Sequence, residues 1–275
     1  MKFFDFAIIG GDKRQQYLHQ ILLEHGYSVI CYGITPCFAT TASSLKEACH
    51  CSKTIIAPIP FSRNKKTLTQ LPGESPVFIN ALLTLLSPDY TMIAGMIPPI
   101  FSAHCHCIDL MKQASFVTAN SIVTAEVATA TAILHMPDKL YGCPCLVTGY
   151  GHCAKALAHC LSQLHANVSI TARSPSALYE AEQDGFCAIN LSKLTPYLAS
   201  FSIIFNTIPA PIFSKERIME CQPCTLYLEL ASSPGGLACL PLAKEQLSIL
   251  PCPGLPGRFS PLACAKAIFE QISNL

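Results

Sequence analysis

Residues 143–172 read as strand, tight turn, helix and strand within about thirty residues. The apolar run Cys143–Thr148 ends in Gly149-Tyr150-Gly151-His152-Cys153-Ala154, an Ala/Leu-rich segment runs to His165, and Asn167–Ala172 is apolar and β-branched. This order of elements fixes a βαβ unit, and so a parallel sheet. The G-x-G-x-x-A turn has the context in which that pattern binds a dinucleotide. Gly149 permits the turn, Gly151 lets a pyrophosphate approach the backbone, and Ala154 lets helix and strand pack closely. Tyr150, His152 and Cys153 complete the turn, whose following helix N-terminus offers unpaired N–H groups to phosphates. A glycine-rich turn without a ligand is the bland alternative.

An NAD-preferring site usually has an acid at the end of the second strand, to hold the ribose 2′-hydroxyl. This chain has Thr171-Ala172-Arg173-Ser174 there. A guanidinium and a hydroxyl suit a 2′-phosphate. The expected cofactor is therefore NADP, the alternative being an exposed arginine that merely follows a strand. Later strands end in Asn206-Thr207-Ile208-Pro209 and near Ser232-Ser233-Pro234-Gly235-Gly236, and Pro253-Gly254-Leu255-Pro256-Gly257-Arg258 precedes the last helix. Polar and glycine-rich turns at successive strand ends fit a ligand-lined edge.

The same alternation runs through the first half. Strands are expected at 3–10, 27–33, 53–59, 76–79 and 91–95, with Asp12 capping a helix to about His25. The expected fold class is α/β, with two βα domains and parallel sheets. The first, residues 1–118, is flavodoxin- or Rossmann-like and on the substrate side. The second, 119–275, is a Rossmann dinucleotide-binding domain with strands at 186–189, 202–208, 225–231 and 247–251. Residues 121–136, rich in Ala, Thr and Val, read as a connector helix buried between two bodies.

Composition narrows the function classes. Eighteen Lys and Arg against seventeen Asp and Glu give a net charge of +1, and only 13% of residues are charged, against about a quarter ordinarily. That argues against disorder and against nucleic-acid binding. The uncharged stretches Leu194–Phe213 and Tyr90–Ile108 are broken by prolines and histidines, so no membrane span is expected and the reading is cytoplasmic. The sixteen cysteines fall mostly in apolar runs, as in Val29-Ile30-Cys31 and Phe186-Cys187-Ala188, and read as reduced core thiols. Cys221-x-x-Cys224, His104-Cys-His-Cys107 and Cys49-His50-Cys51 lack the paired spacing of a zinc site, so no metal is expected.

Two ionisable groups stand out. Glu126 is the only charge within 121–136; buried, it would suit a general acid or base, and on a wet face it would do nothing. Arg14 follows the turn Gly10-Gly11-Asp12, where it either holds a substrate carboxylate or is a solvated helix residue.

In order along the chain, Gly10-Gly11-Asp12-Lys13-Arg14-Gln15, Asn120-Ser-Ile-Val-Thr124-Ala-Glu126, Gly149–Ala154 and Ala172-Arg173-Ser174 are followed by Asn206–Pro209, Leu230–Gly236 and Pro253–Gly257. Taken together they resemble the A subunits of dipicolinate synthase. The resemblance implies an architecture like that of D-2-hydroxyacid dehydrogenases, with the C-terminal helix 261–272 packing back on the first domain. It implies conversion of 4-hydroxy-tetrahydrodipicolinate to dipicolinate with NADP⁺, by dehydration and a two-electron oxidation in the cleft between the domains. It implies that the partner is a flavoprotein-like B subunit. A homo-oligomer is compatible with the sparsely charged surface. On this reading Arg14, Thr124, Ser232, Pro234, Gly235, Gly236, Gly254 and Gly257 face the small dicarboxylate substrate, and Glu126 and Arg258 are the catalytic candidates. The chain departs from the family pattern at Ser233, where an arginine is usual, and at Ala263, where a threonine is usual. Arg258 is positioned to replace the missing guanidinium. The alternatives are another NADP-linked two-domain dehydrogenase acting on a small carboxylic acid, and a non-catalytic NADP-binding regulatory subunit.

Overall fold

A computed structural model describes residues 2–36 and 39–274. The chain divides into two compact units, 1–120 with 256–275, and 121–255.

In the first unit the order is β1 (Phe6–Ile9), α1 (Lys13–Glu24), β2 (Val29–Tyr32), β3 (Thr40–Thr41), α2 (Leu45–Cys51), β4 (Thr54–Ile56), α3 (Ile79–Leu83), β5 (Thr91–Ala94) and β6 (His106–Asp109), leading into α4 (Ala114–His135). The second unit continues with β7 (Pro144–Thr148), α5 (His152–Gln163), β8 (Asn167–Ala172), α6 (Pro175–Gln183), β9 (Cys187–Asn190), β10 (Ile203–Asn206), α7 (Lys215–Glu220), β11 (Thr225–Glu229), α8 (Leu240–Gln246) and β12 (Leu247–Pro251). Short α9 (Leu255–Phe259) and the terminal α10 (Pro261–Ser273) close the chain.

Both sheets have six strands, all parallel, in the orders β3-β2-β1-β4-β5-β6 and β12-β11-β10-β7-β8-β9. Counted from its own first strand, each sheet has the same doubly wound order, 3-2-1-4-5-6, with its topological switch between the first and fourth strands. The central strands are buried on both faces, as Phe-Ala-Ile-Ile of β1 and Ile-Ile-Phe-Asn of β10 show. Continuous apolar runs are what a parallel sheet covered by helices on both sides requires.

Three expectations are corrected. Residues 76–79 form no strand of the sheet: Phe78 makes one isolated antiparallel bridge to Thr67, and a helix starts at Ile79. The true edge strands, β3 and β6, are short and polar, so their apolar signal is weak. The helix read at 121–136 starts seven residues earlier, at Ala114, and it is not enclosed on all sides. Ala125, Ala128 and Ala132 pack into the core of the second unit, whereas Ile122, Ile133 and Leu134 are exposed. Small residues on one side allow close packing, and they say nothing about the other side. By length and composition α4 could cross a bilayer, and it is the one such helix among the described residues. Finally, Cys187 is exposed, because it sits on edge strand β9 with its side chain turned outward.

In the first unit, α10 packs on α1, burying Ala265, Ala267, Ile268 and Ile272 with Leu18, Ile21 and Leu22.

Candidate functional site

The two switch points are built on one plan and finished differently. In the first unit, α1 is closed by its own side chains. Asp12 accepts from the Arg14 N–H at 3.0 Å, and Gln15 Oε1 accepts from the Asp12 N–H at 2.9 Å. This capping box satisfies the groups that would otherwise face an anion, and it adds a carboxylate there. The crevice above is filled by residues 67–77. Gly10 faces Leu68 and Gln70, the Gly11 N–H donates to Thr69 O at 2.8 Å, and Gln70 Nε2 donates to Gly33 O at 2.8 Å.

In the second unit the corresponding helix is open. The N-cap residue of α5 is Gly151, which supplies no side-chain cap. Gly149 has φ +83°, a left-handed conformation, and a Cβ there would lie 2.9 Å from Thr207 Oγ1. At Gly151 a Cβ would meet nothing within 4 Å. Gly151 and His152 are exposed, so the free N–H groups and the positive end of the helix dipole face open space. Beneath them Ala154 is fully buried against the sheet. Tyr150 turns inward, its hydroxyl donating to Asp184 Oδ2 at 2.5 Å and its ring meeting Phe186 edge-on. Cys153 is held neutral, with burial pushing its thiol up to about 11. The backbone of the turn is thus what is offered to a ligand. An uncapped helix behind a glycine with empty space beside it fits a dinucleotide pyrophosphate.

Arg173 and Ser174 are exposed at the end of β8, and the Ser174 and Ser176 hydroxyls lie 2.6 Å apart. Ser174 is the N-cap residue of α6, ahead of Pro175.

Across the switch, the ends of β7, β10 and β11 are tied by a network that sequence reasoning misses. Thr148 Oγ1 donates to Asn206 Oδ1 at 2.6 Å, and Asn206 Nδ2 donates to Glu229 Oε1 at 2.7 Å and to Ile208 O at 3.0 Å. Thr207 Oγ1 donates back to Thr148 O at 2.5 Å. Glu229 Oε2 accepts from the Gly236 N–H at 2.8 Å and from the Tyr227 hydroxyl at 3.1 Å. Burial, followed by the charge of Glu229, raises the Tyr227 phenol far above its ordinary value, so it stays a donor. Glu229 therefore shapes the 230–236 loop: a Cβ on Gly235 would lie 2.8 Å from its Oε2, and one on Gly236 would lie 2.5 Å from Asn206 Nδ2. Ser232 and Pro234 are exposed at the loop's crest, Gly235 and Gly236 are buried at its base, and the Ser233–Pro234 peptide is cis. Pro209 is exposed, and Thr207 and Ile208 are half-buried. The signal in the sequence is one acid, Glu229, closing an otherwise apolar strand.

The remaining candidates scatter. Arg14 is buried in the first unit. Its Nε and Nη2 donate to the two Asp12 carboxylate oxygens at 2.9 and 2.7 Å, and Nη2 also donates to Ile59 O. Gly257 is pressed on this pair, with 2.7 Å between a Cβ there and Arg14 Nε. Within the first unit Gly257 thus seats the C-terminal segment on the Asp12–Arg14 pair, which is why glycine is needed there. Gly254, at φ +63°, is exposed. Arg258 is exposed, with its guanidinium 5.2 Å from the Phe259 ring. Glu126 is exposed and Thr124 half-buried on α4. Among the described residues no group of three or more His, Cys, Asp or Glu is arranged to hold a metal ion.

A separate cavity of about 610 Å³ lies at the amino ends of β7, β10 and β11, lined by His135, Lys139, Cys143, Ser202 and Cys224 among others. There the Cys145 thiol and the Ser202 hydroxyl hydrogen-bond to Cys143 and hold its thiol below the ordinary value.

Residues 5–111 match the model of a family described as the N-terminal domain of the dipicolinate synthase A subunit. The chain is 27% identical to the dipicolinate synthase A subunit of Bacillus subtilis (strain 168), over 98% of this chain and 94% of that protein. Its fold matches the crystal structure of the dipicolinate synthase A subunit from Bacillus halodurans with a TM-score of 0.86 and 22% identity, over 100% of this chain and 98% of that one. A transhydrogenase from Sinorhizobium meliloti shares the fold with a TM-score of 0.63 and 13% identity, over 98% and 94% of the two chains. In sequence over nearly its full length, and in fold, the chain is similar to dipicolinate synthase A subunits.

Proposed function

We propose that this chain is an NADP-dependent oxidoreductase subunit that forms dipicolinate from 4-hydroxy-tetrahydrodipicolinate, working with a flavoprotein-like B subunit. One observation carries the cofactor half of this reading: of two sheets with the same strand order, only the second leaves its first helix uncapped behind an unobstructed glycine. The substrate half rests on the full-length similarity to the dipicolinate synthase A subunit.

NADP⁺, when bound, accepts a hydride. The chain's own groups would do the rest. The N–H groups at the start of α5 would hold the pyrophosphate, with Gly151 giving it room. Arg173 would pair with the ribose 2′-phosphate. The Thr148–Asn206–Glu229 network would fix the floor beside the nicotinamide and leave no rotamer freedom to be lost on binding. The substrate loses one water, then a hydride and a proton, to become aromatic.

Two observations favour a second reading, an NADP-linked dehydrogenase with a different small acid as substrate. The Arg14 charge is already balanced by Asp12, and Ser233 stands where the family pattern has arginine. This leaves Arg258, exposed one residue past the Gly257 turn, as the guanidinium for a carboxylate.

Equilibrium titration of the protein with NADPH and NADH tests the cofactor assignment. Tighter binding of NADPH is expected, and Arg173→Asp should move the preference toward NADH. Equal affinities in the unsubstituted protein would refute the assignment. For the substrate side, Arg258→Ala should raise KM for the acid and leave the NADPH Kd unchanged; equal effects on both would remove Arg258 from the site.

A further inference from the structure

Arg173 shares a pocket with a second arginine. A cavity of about 370 Å³ at the carboxyl ends of β8 and β9 is lined by Arg173, Asn190, Leu191, Ser192 and Arg217. Arg173 enters it from the turn after β8, and Arg217 enters from α7, more than forty residues later in the chain.

Arg217 is held in place without being neutralised. Its Nη1 donates to Ile212 O at 2.6 Å, its Nη2 to Leu191 O at 2.5 Å, and its Nε reaches Thr195 Oγ1 at 3.5 Å. All three acceptors are uncharged. A guanidinium carries five N–H donors, so these bonds leave two free. Arg173 makes no hydrogen bond or ion pair among the described residues. Asn190 Oδ1 already accepts from the Ser192 N–H at 2.9 Å and from the Ser192 hydroxyl at 2.7 Å. No carboxylate lines the pocket. Two like charges in one half-enclosed site repel each other, and an anion between them relieves that repulsion. A planar guanidinium fixed by backbone carbonyls is pre-organised to grip phosphate oxygens.

We infer that Arg217 is a second specificity-determining residue, which together with Arg173 holds the phosphate monoester on the adenosine ribose of NADP. This rests on the NADP reading above and adds a residue from the far side of the switch, where a turn fingerprint gives no hint of it. The phosphate is mostly dianionic above about pH 6. Two cations should therefore make the preference for NADPH depend on pH and on salt.

The test is fluorescence titration with NADPH, NADH and adenosine 2′,5′-bisphosphate, combined with thermal melting. Arg217→Gln keeps an amide NH2 for the backbone carbonyls but removes the charge. It should weaken NADPH and the bisphosphate about 10- to 100-fold and NADH less than about 2-fold, as expected for the loss of a charge-assisted hydrogen bond. Ser192→Asp leaves the Arg217 anchoring bonds untouched and places a carboxylate in the same pocket. It should abolish the preference for NADPH even if Arg217→Gln folds poorly. The preference should also shrink in the unsubstituted protein below about pH 6. Equal weakening of NADPH and NADH by Arg217→Gln, with a lowered Tm, would make Arg217 purely structural and overturn the inference. So would an unchanged preference in Ser192→Asp. No preference in the unsubstituted protein would instead overturn the NADP reading itself.

Discussion

Asn206 Nδ2 donates to Glu229 Oε1 at 2.7 Å, joining the carboxyl ends of neighbouring strands β10 and β11. That bond, together with the Leu230 and Ala231 N–H groups donating to Asn206 O at 2.9 and 3.1 Å, couples the floor formed by Thr148 and Asn206 to the loop that Glu229 folds over itself. Glu229→Gln keeps the shape but sets an amide donor against the Gly236 N–H or the Asn206 amide. Leaving buried donors unsatisfied costs about 1–3 kcal/mol. Chemical denaturation should show that loss, and NADPH affinity should fall with it. Unchanged stability would mean that the loop is held by other contacts.

The two glycines of the turn should behave differently. Gly149→Ala puts a side chain at φ +83° and 2.9 Å from Thr207 Oγ1, so it should destabilise the second unit by about 1–3 kcal/mol. Gly151→Ala has open space and should leave stability within about 0.5 kcal/mol, while NADPH binding weakens at least about tenfold, a cost of about 1.4 kcal/mol. Paired melting and titration separate the two effects. A destabilised Gly151→Ala that binds normally would contradict the assignment of the open space to a ligand.

The C-terminal helix is held on α1 by a small apolar seam. Ile268 is fully buried there. Ile268→Ala should cost about 2–5 kcal/mol, the range for a large-to-small change in a packed core. Hydrogen exchange should then rise in both α1 and α10. A rise confined to α10 would show that α1 keeps its place without the seam.

Cys143 carries a pH signature. The Cys145 thiol donates to it, then burial opposes, then the Ser202 hydroxyl donates, and the balance lowers its pKa in the folded state. An acid whose folded pKa lies below its unfolded value stabilises the fold as pH rises above the folded value, and loses that contribution as pH falls through it. Alkylation of Cys143 should therefore set in at lower pH than the ordinary thiol value of about 8.5, and Cys145→Ala should shift the profile upward. Mass spectrometry of a pH series reads this directly. A Cys143 profile that matches those of exposed Cys187 and Cys224 would refute it.

Much of this architecture is legible in the sequence because buried parallel strands leave unbroken apolar runs. Residues 247–251 read as a strand, and β12 spans the same residues. The limits of β8 are equally plain, from Asn167 to Ala172. The edge strands of the first sheet escape, because half-exposed residues such as those of β6 carry no such run and β3 is only two residues long, whereas edge strand β12 keeps Leu247, Ile249 and Leu250. The glycines of the turn are readable because φ and close approach leave few other residues possible. Glu229 and Arg217 are not, since a partner that places each, Asn206 and Leu191, lies more than twenty residues away in sequence. The pairing of Arg14 with Asp12 is also hidden, because two residues apart in sequence gives no sign that the pair is buried.

The most direct measurement offers the purified chain 4-hydroxy-tetrahydrodipicolinate and NADP⁺, with and without a flavoprotein-like B subunit, and follows NADPH and the aromatic product together. The account predicts that both rise in step when the partner is present, and that Gly151→Ala slows both equally. NADP binding with no turnover under either condition would contradict it, and would direct attention to Ser233 and Ala263 as marks of another substrate.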